Sequence, residues 1–263
     1  MRLLICTLLG LISWTKPETN GEFCGITNKS FQDNEIISYN VFYSVIGIYV
    51  NAGTATFSTN LENLGNKPVY HVTGTGSSNP SYDWIFKVRD VYESFIDTSN
   101  LQPQKFSRRV DEGGYKINED VSFNNANNTA TTTKGVYKIP DCTQDVLSAI
   151  YYARNIDFSK YKVDDKIPFS MFLDNAVYNL YIKYLGKETI KTKYGKFRAI
   201  KFKPLLVKGT MFQGGEKMTV WVTDDENHIP IRIESPITVG SVKVDMMGYK
   251  NLRHPLTSLV SFR

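Results

Sequence analysis

The strongest constraint in this sequence is a period of two that returns in segment after segment. Residues 177–187 place Tyr178, Leu180, Ile182 and Tyr184 on alternate positions, and residues 35–44 do the same with Ile37, Tyr39, Val41 and Tyr43. Side chains along a strand point to opposite faces in turn, so this alternation puts one face on a core and the other in water. Further strands are expected at 52–61, 69–76, 88–97, 105–111, 115–123, 167–173, 197–202, 218–223, 229–234 and 238–247. Turn chemistry separates them at Gly65-Asn66, Gly113-Gly114, Asp174-Asn175 and Asp224 to Asn227. The 16 Tyr and 15 Phe suit a pleated surface better than a helical bundle.

One segment breaks the period. After Pro140, Asp141-Cys142-Thr143-Gln144 resembles a capping box, and Val146, Leu147, Ile150 and Tyr151 fall on one helical face. Arg154 near its end suits the negative pole of a helix. A helix among strands must bury its apolar face against a sheet. The expected class is therefore mainly β, a single curved antiparallel sheet or half-open β-barrel with one principal helix packed against it. No fixed-period repeat suggests a propeller or an array.

At the N-terminus, Met1 and Arg2 precede an apolar run from Leu3 to Trp14, which Lys16, Pro17 and Glu18 end. The run is shorter than the roughly 20 residues of a spanning helix, and no comparable run follows. It reads as a signal peptide over 1–23, cleaved between Thr19 and Phe23, followed by a β-rich domain over 24–252 and a C-terminal tail over 253–263. A short N-terminal helix kept in the mature protein is the alternative. Export would remove Cys6 and leave Cys24 and Cys142. Two cysteines in an oxidising compartment suggest one disulfide, worth roughly 4 to 5 kcal/mol across so long a loop; two unpaired thiols are the alternative.

The net charge of +5 is scattered rather than gathered into a stripe, so no nucleic-acid footprint is read. Gly74-Thr75-Gly76 lacks the lysine and helix of a phosphate loop. The three histidines, His71, His228 and His254, show no ligand spacing, and no metal or other cofactor is expected. Asp224, Asp225 and Glu226 form the densest carboxylate cluster, in a stretch that reads as a solvated turn. No catalytic residue is assigned.

The stretches 145–154, 194–197 (Tyr-Gly-Lys-Phe) and 221–232 (Trp-Val-Thr-Asp-Asp-Glu-Asn-His-Ile-Pro-Ile-Arg) resemble the bacterial domain-of-unknown-function family 3108, across most of the mature chain. The start of the first strand, 34–39, fits as well, with Asn34 where glycine is expected. The resemblance implies export to the bacterial envelope, in the periplasm or on its periplasmic face, and a β-rich domain, with no assigned activity. A more distant architectural likeness is to the lipoprotein-localisation factors, whose curved sheet closes over a helix and leaves an apolar cavity.

Two functions follow. A non-catalytic carrier would bind a lipid or other hydrophobic small molecule through Tyr39, Tyr43, Phe57, Trp84, Tyr151 and Trp221. An adaptor would dock another envelope protein or a polysaccharide through exposed aromatics or an uncovered strand. An uncharacterised hydrolase ranks third.

Overall fold

The computed structural model describes residues 23–45, 48–207, 214–237 and 239–262. The strands run in chain order as β1 (Glu35–Val45), β2 (Ile48–Leu64), β3 (Lys67–Ser78), β4 (Arg89–Asp97), β5 (Pro103–Glu112), β6 (Tyr115–Asn124), β7 (Thr129–Thr132) and β8 (Gly135–Lys138). Helix α1 (Val146–Ala153) follows, then β9 (Lys166–Leu173), β10 (Ala176–Lys191), β11 (Gly195–Pro204), β12 (Thr219–Thr223), β13 (Pro230–Pro236), β14 (Ser241–Lys250) and β15 (Leu259–Phe262). They form one antiparallel sheet of order β8-β7-β6-β5-β4-β3-β2-β1-β14-β13-β12-β11-β10-β9, with β15 added beside β11. This is the curved, open sheet with one helix that the alternation implies.

The sheet wraps α1. Leu147, Tyr151 and Tyr152 pack with Val72, Ile96, Ile182, Ile200, Val220 and Val222 in the largest core cluster. Aromatic rings fill the space around the helix: Phe23 lies between Tyr152 (4.5 Å) and Phe169 (4.7 Å), and Phe31 meets Tyr151 edge-on at 4.8 Å. The sheet approaches the helix so closely at Gly74 that a Cβ there would stand 3.3 Å from both Leu147 and Phe57. Asn34 has φ of 60°, a conformation that glycine adopts freely and asparagine tolerates, which explains the substitution at that position.

Backbone pairing does not join β8 to β9, but side chains close the seam. Phe172 of β9 packs on Phe123 and Tyr137. Arg108 forms ion pairs with Glu119 and with Asp174 in the β9–β10 turn, and the Thr132 hydroxyl donates to Asn175 at 2.7 Å. The barrel is thus split in its hydrogen bonding and shut by packing.

Three local expectations need correction. The helix N-cap is Asp145, not Asp141: the Asp145 carboxylate accepts the Leu147 and Ser148 amides at 2.8 Å, and the Ser148 hydroxyl accepts the Asp145 amide at 2.8 Å. Residue 144 is occupied elsewhere, since its amide donates to Ser170 and its carbonyl accepts from Phe172, covering part of the β9 edge. Arg154 is the C-cap residue, but its side chain turns inward to Glu35 and does not serve the helix pole. Finally, residues 253–262 are no tail. β15 pairs with Gly195–Phe197 of β11, and Leu256 and Leu259 pack in the cluster that buries Phe197 completely.

Candidate functional site: the rim of hairpin tips

The two ends of the half-barrel differ in chemistry. At one end lie the start of β1, the C-terminus of α1 and the β12–β13 turn, all capped by the terminal segments. Arg154 is buried there, 2.6 and 2.9 Å from the two oxygens of Glu35, and it also donates to the carbonyls of Ser30 (3.2 Å) and Asn227 (3.1 Å). Its own carbonyl takes the Ser30 hydroxyl and contacts His228 Nδ1, each at 2.7 Å. Burial lowers the His228 pKa, favouring the neutral ring. The Tyr151 hydroxyl accepts from Thr59 at 3.0 Å, and its pKa is pushed up to about 12, chiefly by burial. The acidic turn completes this end. Asp225 accepts from Thr223, Asn227 and Ser258, Asp224 pairs with Lys187, and Glu226 with His254. Asp225 and Glu226 thus hold the C-terminal segment, and Asp224 holds β10. Cys24 and Cys142 are joined by a disulfide, Cα atoms 5.4 Å apart, which fastens the N-terminal segment to the approach to the helix.

The sequence-derived ligand candidates do not converge on one space. Tyr151 is 2% exposed within the helix cluster, and Trp221 is 8% exposed in a second cluster, its indole N–H donating to Glu188 at 2.6 Å under the Lys201 ammonium. Tyr39 is buried in that second cluster and meets Phe57 edge-on at 5.8 Å, while Phe57 packs against both clusters. Tyr43 is half-buried, with its hydroxyl on the Val239 carbonyl at 3.1 Å. Trp84 is 82% exposed and lines no interior space. Its place follows from the 3-10 turn Pro80–Tyr82, which interrupts the strand period and carries the loop outward.

Trp84 marks the other end of the molecule. Antiparallel order puts the β1–β2, β3–β4, β5–β6, β7–β8 and β13–β14 connections at one edge of the sheet. Among the described residues, nine of the 16 exposed large apolar side chains stand at that edge. Ile48, Tyr49 and Val50 sit on the first hairpin, Trp84, Ile85 and Phe86 on the second connection, Tyr115 on the third, Val136 on the fourth and Val239 on the fifth. Exposed apolar residues scattered singly mean little, whereas a gathering of this kind marks a contact surface.

The Trp84 loop is held firmly. Asp83 accepts from the Ser78 hydroxyl and pairs with Arg89 at 2.6 Å, interactions that lower its pKa. The Asn79 side chain caps the 3-10 turn, and Trp84 Nε1 donates to the Ser81 carbonyl at 3.1 Å. Phe86 lies over Gly113, whose φ is 59° and where a Cβ would stand 2.4 Å from the ring. Beside this loop, an open depression of about 500 Å³ crosses β3 to β6, lined by Thr75, Ser77, Arg89, Val91, Arg109 and Lys116 among others. Sequence reasoning found Trp84 but not the rest of the rim. The available signal was consecutive apolar residues, Trp84-Ile85-Phe86 and Ile48-Tyr49-Val50, next to turn chemistry where a buried strand is not expected.

Fold and rim together define a barrel-like antiparallel domain with one plugged and one apolar end. The chain belongs to the DUF3108 family of proteins of unknown function, whose pattern matches residues 38–247. Comparison with curated protein sequences finds no match. Among solved structures, a β-barrel-like protein of domain of unknown function DUF1849 from Brucella abortus aligns with a TM-score of 0.57 at 9% identity, covering 84% of this chain and 99% of its own. That likeness concerns the fold. A candidate exported protein with YmcC-like fold from Bacteroides fragilis aligns at 0.33, with 10% identity over 87% of this chain and all of its own (100%). A candidate lipoprotein from Parabacteroides distasonis aligns at 0.35, with 12% identity over 85% and 100%. Among the described residues, no helix is long and apolar enough to cross a membrane.

Proposed function

We propose that this protein is a non-catalytic, exported envelope protein that docks on another envelope component through its rim of apolar hairpin tips. The observation that carries the reading is the gathering of nine exposed large apolar side chains at one edge, opposite an end held by the Glu35–Arg154 pair. The adaptor reading is preferred to an interior carrier because stacked and edge-on rings occupy the space around α1 and because the six aromatic candidates divide between two packed clusters, the half-buried Tyr43 and the surface.

The test uses isolated envelope from the producing bacterium. Wild type is expected to sediment with it, and W84S/I85S/V239S to stay in the supernatant. Organic-solvent extracts of the purified wild-type protein should contain no stoichiometric lipid. Rim variants that sediment like wild type, or a reproducible one-to-one lipid in the extract, would overturn the reading.

A further inference from the structure

We infer that the component met by the rim is a lipid bilayer carrying anionic headgroups, an inference that rests on the rim reading above. Three features select this occupant. First, the apolar residues stand on separate hairpins, so no single groove or strand edge collects them as a peptide site would; a plane of many lipids can meet them all. Second, described residues on two of the tips carry paired polar groups. Val50 is paired with Tyr43 and Ile48 with Val45, and Trp84 satisfies its N–H within its own loop. Only segments with internally satisfied polar groups enter hydrocarbon cheaply, and tryptophan suits the interface, with an apolar body and one polar edge.

The third feature is charge. A lysine accompanies four of the tips: Lys87 follows Phe86, Lys116 follows Tyr115, Lys134 precedes Val136 by two residues, and the Lys243 ammonium lies 3.8 Å from the Tyr49 ring centre. Of the acids near the tips, Asp83 is engaged by Arg89 and Asp174 by Arg108, Asp111 takes up Lys87 at 3.9 Å, and Glu112, opposite Tyr115, lies beside Asp90, whose pKa burial and this neighbour raise. Lys116 and Lys134 have no acidic partner among the described residues. Cations beside apolar anchors are the arrangement that holds an interfacial protein on an anionic leaflet.

The test is sedimentation of the exported, disulfide-bonded protein, freed of its N-terminal apolar run, with vesicles of phosphatidylcholine alone and with about one third phosphatidylglycerol added. Wild type is expected to bind both, and the anionic vesicles more strongly. W84S/I85S should weaken partitioning to both by about tenfold or more. K116E/K134E should cut the anionic preference by roughly fivefold or more per lysine, with less effect in high salt. In a W221F background, which leaves Trp84 as the one tryptophan of the exported protein, fluorescence should shift to the blue on binding and be quenched by brominated acyl chains. Wild type left in the supernatant with both vesicles, or tip variants that sediment like wild type, would overturn the inference. If vesicles fail while envelope binding persists and still depends on the rim, the lipid assignment falls and the docking surface stands; if both fail, so does the rim reading.

Discussion

Arg154 ties together four parts of the chain that are distant in sequence: Ser30, Glu35, its own helix and Asn227. With the pair buried, loss of one partner strands the other charge, which typically costs 3–5 kcal/mol. R154M is therefore expected to lower unfolding stability by about that amount, and E35L/R154M to regain most of it, as measured by denaturant titration. A single variant within about 1 kcal/mol of wild type would refute the role. Asp145 permits a test of pH dependence. Burial raises its pKa to about 6, against the lowering effects of Ser94, Ser148 and Leu147, while an unfolded aspartate titrates near 4. Between about pH 4 and 6 the native state therefore holds the proton more tightly. The stability contributed is full below about pH 4 and is lost as pH rises through 6. D145N keeps a capping oxygen and removes this dependence. Its stability relative to wild type should improve by on the order of 3 kcal/mol from about pH 4 to 7, and a constant difference across that range would exclude the account. Sequence placed Arg154 at the helix end but put the N-cap at Asp141 instead of Asp145, and it showed neither residue's partner, because Glu35 and Ser94 are 119 and 51 positions away and no local spacing encodes such contacts.

At the scale of elements, most strands were legible because alternation and turn residues agree. The Asp174-Asn175 turn has φ of 52° and 61°, as a tight hairpin needs, and joins the two strands expected around it. The strands that were missed lack that agreement. β7 is Thr-Ala-Thr-Thr and β8 is Gly-Val-Tyr-Lys, too short and too polar to show a period. β15 has mostly exposed residues and owes its place to pairing with β11 and to Leu259 on Phe197. Deleting residues 256–263 should expose Phe197 and cost about 3 kcal/mol or more, visible as a lower denaturation midpoint and new binding of a hydrophobic dye. The Cys24–Cys142 bond spans 118 residues, for which chain entropy predicts about 5 kcal/mol, less whatever structure the reduced chain keeps. C24S/C142S should thus unfold earlier by several kcal/mol, and equal stability of the oxidised and serine forms would show that packing of Phe23 between Tyr152 and Phe169 suffices.

For the whole molecule, the decisive property is the difference between its ends, and it separates stability from function in a measurable way. Residues that hold the fold are packed inside it: Tyr151 under Thr59 and Phe31 against Tyr151 are buried, and the partly buried Phe57 lies between two clusters. Shortening them leaves cavities or unpaired groups, so Y151A should cost about 3–5 kcal/mol. Residues of the rim give up little on substitution, since Trp84, Ile85 and Val239 already face water in the free protein. W84S/I85S/V239S should therefore keep the wild-type unfolding free energy to within about 0.5 kcal/mol while losing envelope binding. Keeping an apolar surface that the isolated fold does not need makes sense if a partner removes it from water. Composition alone could not reveal this, because an aromatic residue in a core and one on a tip count equally in the sequence. What distinguishes them is whether the period of two continues through the residue or breaks at a turn before it, as Asn79-Pro80 breaks it ahead of Trp84. If the triple variant instead unfolds well below wild type, the tips are part of the core's support and the division between the two ends does not hold.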